Sequence, residues 1–223
     1  MLENLKKHHL WKVIVTTFYL SMISQESDWF FFLKFKSEVA EIFWKFKSLV
    51  ENQSGCKIQI LRFGNEKENT STEFNLFCEE AGIEHQFIAS YTPQQNGMSE
   101  RRNRTAMEMA RFMLHEMELP KSFWVEAANT VVFLQNWLST NALEEKTPFE
   151  AWSSYKPSLN FLKAFGCVCF VHVPLAKRGK LDKKAIPDIF VGYSSVSEAY
   201  KVYYPQTKMM TIDRGVHFIE EEK

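Results

Sequence analysis

Tyr91-Thr92-Pro93-Gln94-Gln95-Asn96-Gly97-Met98-Ser99-Glu100-Arg101-Arg102-Asn103-Arg104-Thr105 is the stretch on which the reading of this chain turns. Pro93 and the Asn96-Gly97 pair predict a loop from Tyr91 to Gly97. Beyond it, from Ser99, the apolar residues Ala106, Met109, Ala110, Met113 and Met117 recur at three- and four-residue spacing. That pattern predicts a long helix with one buried stripe, stopped by Pro120. Glu100 sits near the helix N-terminus and off the stripe, and taken alone it complements the helix dipole. Arg101, Arg102, Arg104 and Arg111 line the helix, and the amides of Gln94, Gln95 and Asn96 precede it. By themselves these are a solvated face and a helix entry, or equally a set of contacts to nucleic-acid phosphates.

Upstream, Val13–Ile23 and Trp29–Phe35 are dense in Val, Ile, Thr and aromatic residues and predict two strands joined by the polar turn Ser24–Asp28. The first run is too short to span a bilayer as a helix, which needs about 20 residues, and no clear cleavage site follows it. Val39, Ile42, Phe43, Phe46, Leu49 and Val50 share a helix face, with Ser37 as N-cap. Phe30, Phe31, Phe32 and Trp44 read as core. Lys57–Phe63 alternates like a half-buried strand, Thr70 with Glu73 forms a capping box for a short helix ending at Gly82, and His85–Ile88 is a short strand.

Downstream, a helix is expected from Ser122 to Leu138, and Thr147-Pro148-Phe149-Glu150 starts another. After Pro157 the texture changes to β-like runs at Ala164–Val173, Ile189–Tyr193, Tyr200–Tyr204 and Met209–Phe218, punctuated by turn residues. This predicts a mixed α/β domain over residues 1–156 and a small antiparallel barrel over residues 157–223.

Composition sets the bounds. The 223 residues are 45% hydrophobic and 24% charged, as in ordinary globular chains. Lysine plus arginine equals aspartate plus glutamate at 27 each, which excludes a uniformly basic wrapper of nucleic acid but not local patches. One such patch is Lys177, Arg178, Lys180, Lys183 and Lys184, offset only by Asp182. An acidic counterpart runs from Glu66 to Glu84. The four cysteines form no CxxC pair; Cys167 and Cys169 share a strand face and read as core packing. His8 and His9 lack a suitably spaced cysteine pair for zinc.

The block from Tyr91 to Thr105 resembles the integrase core of copia-type retrotransposons, which reads Tyr-Thr-Pro-Gln-Gln-Asn-Gly-x-Ala/Ser-Glu-Arg-x-Asn-Arg-Thr. The similarity extends through Val50–Gly55, Leu119–Trp124, Lys146–Trp152, Phe165–Cys167 and Phe190–Tyr193. It implies an RNase H-like core followed by an SH3-like β-barrel, with the amino-terminal zinc module missing, as in a fragment of a retrovirus-related Pol polyprotein.

In that family three carboxylates hold two divalent metals, which activate the attacking hydroxyl and stabilise the leaving oxygen of a phosphodiester. Glu100 matches the third carboxylate. The family's second Asp lies in Leu-Arg-Ser/Thr-Asp-Asn-Gly-x-Glu, where this chain has Leu61-Arg62-Phe63-Gly64-Asn65-Glu66-Lys67-Glu68. Gly64 occupies the Asp position, and the 35 residues between Gly64 and Glu100 keep the family's spacing. The first Asp pair falls on Ser24 and Gln25. Glu26 and Asp28 are displaced by two to four residues, about 7–13 Å along a strand, too far to substitute.

The resemblance therefore implies a degenerate integrase-like domain, a pseudoenzyme that retains nucleic-acid binding after losing two of three metal ligands. No cofactor is expected in this copy; Mg²⁺ or Mn²⁺ would be required if it were active. The implied partner is DNA, with a homo-oligomer as a further implication, no membrane, and a nuclear or cytoplasmic location. The competing readings are an active polynucleotidyl transferase with an altered metal site and a relic protein without function.

Overall fold

A computed structural model of the chain describes residues 16–22, 27–33, 35, 38–63, 72–87, 93–173, 178–181, 183–194 and 197–219. It divides between Thr105 and Ala106 into two compact units. In the first, β1 (Thr16–Met22) and β2 (Ser27–Leu33) form an antiparallel hairpin running from Thr16 opposite Leu33 to Met22 opposite Ser27. The aromatic rings of β2 meet the next helix, α1 (Val39–Ser54), with Trp29 and Phe31 edge-on to Phe46 at 5.0 and 6.0 Å. Val39, Phe43, Phe46 and Val50 are the buried face of α1, as their spacing predicts. The helix ends at Gly55, whose φ of 68° few other residues tolerate and whose N–H donates to the Glu51 carbonyl.

Glu51 is also the hinge of the exit loop. Its carboxylate pairs with Lys47 at 2.6 Å and accepts from the Ile58 N–H at 2.9 Å. Burial, the largest single influence, raises the carboxyl, but the hydrogen bonds from Lys47 and Ile58 and the charges of Lys47 and Lys57 together outweigh it and hold the pKa below its usual value. The chain then enters β3 (Ile60–Phe63), crosses through α2 (Thr72–Glu80) and returns in β4 (Glu84–Phe87), parallel to β3. Phe74 and Cys78 are buried on α2, and Phe74 packs edge-on against Phe43 at 5.3 Å. This is the mixed α/β organisation expected from sequence. Ser37 and Thr70, the expected caps, lie outside the described residues, and no side chain caps α1.

α3 runs from Pro93 to Glu116, six residues longer at its start than sequence suggests. Proline is at home in a first helical turn, where its missing N–H has no helical partner anyway. Gly97 is carried inside the helix at a cost of about 1 kcal/mol relative to alanine. The Asn96-Gly97 pair is thus no breaker, and Gln94, Gln95 and Asn96 belong to the helix rather than to a loop. Of the stripe expected, Ala106 and Ala110 are buried, Met113 and Met117 are half-buried and Met109 is exposed, while Leu114 joins the buried face.

The second unit continues from Ala106 through a single 3-10 turn (Lys121–Phe123), α4 (Trp124–Trp137) and α5 (Pro148–Ser153). The Thr147 hydroxyl accepts from the Glu150 N–H at 2.9 Å, with Pro148 at the first helical position, as the motif predicts. Five antiparallel strands follow: β5 (Val168–His172), β6 (Ala185–Tyr193), β7 (Tyr200–Tyr204), β8 (Met209–Asp213) and β9 (Val216–Ile219). Their order is β8-β7-β6-β5-β9, an open sheet and not the closed barrel expected. Each strand follows its turn signal in the sequence, but β8 and β9 end as separate edges.

The sheet core is Cys167, Cys169, Val171, Phe190, Tyr193 and Val202, covered by Phe133, Leu134, Phe161 and Leu162. α4 lies on β6, and its Phe133 ring stacks on Tyr193 at 4.2 Å. A buried Glu126 carboxylate reaches Lys201 of β7 at 2.9 Å. Gly192 makes this approach feasible. Its φ is 135°, and a Cβ there would stand 2.8 Å from the Thr130 hydroxyl oxygen. Gly192→Ala is expected to destabilise the chain by about 2 kcal/mol or more, lowering Tm by roughly 4–8 °C. A thermal melt followed by circular dichroism checks it; an unchanged Tm would show that α4 does not press on β6 as described.

Candidate nucleic-acid interface and metal site

The residues singled out from sequence fall in three places. Glu100, Arg101, Arg102 and Arg104 lie within α3, with Gln94, Gln95 and Asn96 in its first turn. Asn96, Glu100 and Arg104 recur at four-residue intervals, about 40° apart per step, and so share one helix face. Arg101 and Arg104 are exposed, and Arg102 is half-buried. Glu100 is the eighth residue of α3, beyond the first turn where the helix dipole acts. The extended helix therefore removes the simplest structural explanation for that glutamate.

The other carboxylate positions stand apart in what can be said of them. Gly64 follows the last residue of β3, and Ser24 and Gln25 fall in the connection between β1 and β2. All three lie outside the described residues, as does Glu26. Asp28 is on β2 opposite Ser21. Among the described residues no three His, Cys, Asp or Glu side chains converge in a way that could hold a metal ion. A glycine offers no oxygen donor from its side chain, whereas hard divalent cations need several. Ser24, Gln25 and Gly64 carry no carboxylate of their own.

The second basic cluster lies in the connection from β5 to β6. Lys180, Lys183 and Lys184 are exposed, while Arg178 is half-buried with its Nε lacking a hydrogen-bond partner. Lys177 and Asp182 lie outside the described residues. The two basic clusters belong to different compact units. Each offers exposed cations suited to phosphate oxygens.

A buried carboxylate that sequence reading passed over lies in the five-stranded sheet. Asp188 on β6 is 2% exposed, directly opposite Cys169 of β5, and its Oδ2 has no hydrogen-bond partner. Burial lifts its pKa from 3.8 to about 6. Burial, helped by Cys167 and Asp188, pushes the Cys169 thiol to about 12. Tyr204 is likewise raised to about 12, by burial first and then by Asp188, Asp213 and Cys169. A thiol so held is no nucleophile or metal ligand at neutral pH, and Cys167 and Cys169 pack as core. A carboxylate inside the apolar run from Ile186 to Tyr193 is the signal that could have exposed Asp188 from sequence.

Comparison with known proteins gives this arrangement a context. Residues 167–223 match the family model described as the retroviral polymerase SH3-like domain. The chain is 42% identical over 194 residues to the retrovirus-related Pol polyprotein from transposon TNT 1-94 of Nicotiana tabacum, an alignment covering 87% of this chain and 15% of that protein. It is 34% identical over 195 residues to the retrovirus-related Pol polyprotein from transposon RE1 of Arabidopsis thaliana, covering 86% of this chain and 13% of that one. Among solved structures, the HTLV-2 integrase catalytic core domain in complex with magnesium (trimeric form) is similar at 20% identity and a TM-score of 0.46. That match covers 60% of this chain and 82% of the solved one. The chain thus spans 13–15% of the length of these polyprotein relatives. No helix among the described residues is long and apolar enough to cross a membrane.

Proposed function

We propose, on the premise that this chain belongs to the retrovirus-related Pol polyproteins of plant transposons, that it is an integrase region which has lost its metal chemistry and keeps contact with DNA. In this reading residues 1–156 are the RNase H-like core and residues 157–223 the SH3-like domain. The observation that carries it is the pairing of two facts in one register. The block from Tyr91 to Thr105 is retained, Glu100 included, while Gly64 stands where the family's motif has an aspartate.

The physical consequence is asymmetric. Phosphate contacts from arginine and lysine act one by one, so each surviving cation keeps its share of affinity. A two-metal site needs several anionic oxygens at once to offset four positive charges, so one missing ligand undoes the whole. Arg101 and Arg104 on α3, and Lys180, Lys183 and Lys184 before β6, are exposed and suited to the first role.

A short DNA duplex is expected to bind the purified chain with affinity that falls steeply with salt. Neutralising four or five phosphates gives a slope of about −4 in log affinity against log salt, a loss on the order of 10²-fold between 50 and 200 mM. Fluorescence anisotropy measures it. Arg101→Ala with Arg104→Ala should flatten the slope by about two. Absence of binding at low salt would remove the DNA half of the proposal.

A further inference from the structure

The C-terminal half of α3 and the start of α4 frame a groove of about 460 Å³ that the integrase reading does not use. Its volume falls in the range of about 300–1,000 Å³ typical of ligand sites. Met107, Ala110, Leu114, Leu119 and Trp124 line it with apolar surface. Arg111, His115 and Lys121 complete the lining, and all three are exposed. None of the three forms an ion pair with another described residue. Glu108, Glu116 and Glu118, from the same segment, are not among the lining residues.

An apolar floor with cations around it selects its occupant by chemistry. A DNA backbone would satisfy the cations but leave the floor wet. A neutral apolar segment would cover the floor and leave the cations of Arg111 and Lys121 facing no charge. A short peptide carrying bulky apolar side chains between carboxylates satisfies both. We infer that this groove docks an acidic, apolar peptide segment of a partner protein, its apolar side chains on Leu114, Leu119 and Trp124 and its carboxylates against Arg111 and Lys121. The inference is independent of whether the chain binds DNA.

The test uses the full chain and a fluorescein-labelled peptide of sequence Ser-Glu-Phe-Glu-Leu-Leu-Asp-Phe. Saturable binding is expected, together with a change in tryptophan emission that is lost in Trp124→Phe. Arg111→Glu and Lys121→Glu should each weaken binding about tenfold. Both positions are exposed, and an unchanged circular dichroism melt shows that the variants fold. The same peptide with Gln and Asn for its acids should bind at least tenfold more weakly. Failure of the acidic peptide to bind, or equal binding of the neutral one, overturns the inference. So does a DNA duplex that competes for the groove and loses as much affinity in both charge-reversal variants, which would make it a nucleic-acid surface. Self-association abolished by the same variants, without peptide binding, would assign it to a second copy of the chain and overturn the inference as well.

Discussion

Supplied with Mg²⁺ or Mn²⁺ and a DNA duplex, the purified chain is expected to give no metal-dependent nicking or strand joining above buffer, and Glu100→Gln should leave that blank unchanged. Hydrolysis or transfer at a phosphodiester by this route depends on a pair of cations that share charge with the attacking and leaving oxygens. Removing several kcal/mol of such stabilisation lowers the rate on the order of 10³-fold or more. In the proposed reading Gly64 contributes no carboxylate where the family's motif supplies one, and Glu100 alone would not anchor two ions. Cleavage that required metal and vanished in Glu100→Gln would instead identify a working site with substitute ligands.

The second large effect concerns stability. Asp188→Asn is expected to stabilise the chain by about 2–3 kcal/mol at pH 7, raising Tm by roughly 4–12 °C. The carboxyl is nearly enclosed, its Oδ2 is unbonded, and burial lifts its pKa from 3.8 to about 6. Cys169 and Tyr204, which interact with it, carry no positive charge in either protonation state, so neither supplies a countercharge. The sign follows from the raised value. A folded state that holds the proton more tightly than the unfolded one has no penalty below pH 3.8. It loses stability as pH rises from there through about 6, and it bears the full penalty above. The gain from Asn should therefore shrink toward zero near pH 4. Thermal melts of both proteins at pH 4 and pH 7 measure it, and a gain that does not depend on pH would place the charged form in contact with water.

How much of this was legible in the sequence depends on how local the cause is. The buried face of α1, the Thr147 cap and the hairpin strands from β5 to β7 follow from spacing and turn residues within a few positions. The start of α3 did not, because Pro93 and Gly97 carry the same turn signal whether or not a helix absorbs them. Nor did the sheet's open edges, since strand propensity says nothing about whether β8 reaches β9. The docking of α4 on β6 joins Thr130 to Gly192 across a long separation in sequence, which no local pattern encodes. For the site, Glu100 alone was an ordinary glutamate. Its meaning came from the resemblance and from the register that puts Gly64 at a fixed distance before it.

Calorimetric titration of the purified chain with Mn²⁺ tests the proposed loss of the metal cradle most directly. The expected trace is heat of dilution only up to millimolar metal, the same for the wild-type chain and Glu100→Gln. A saturable site that disappears in Glu100→Gln would contradict it, because two or more unseen ligands would then have to meet that side chain.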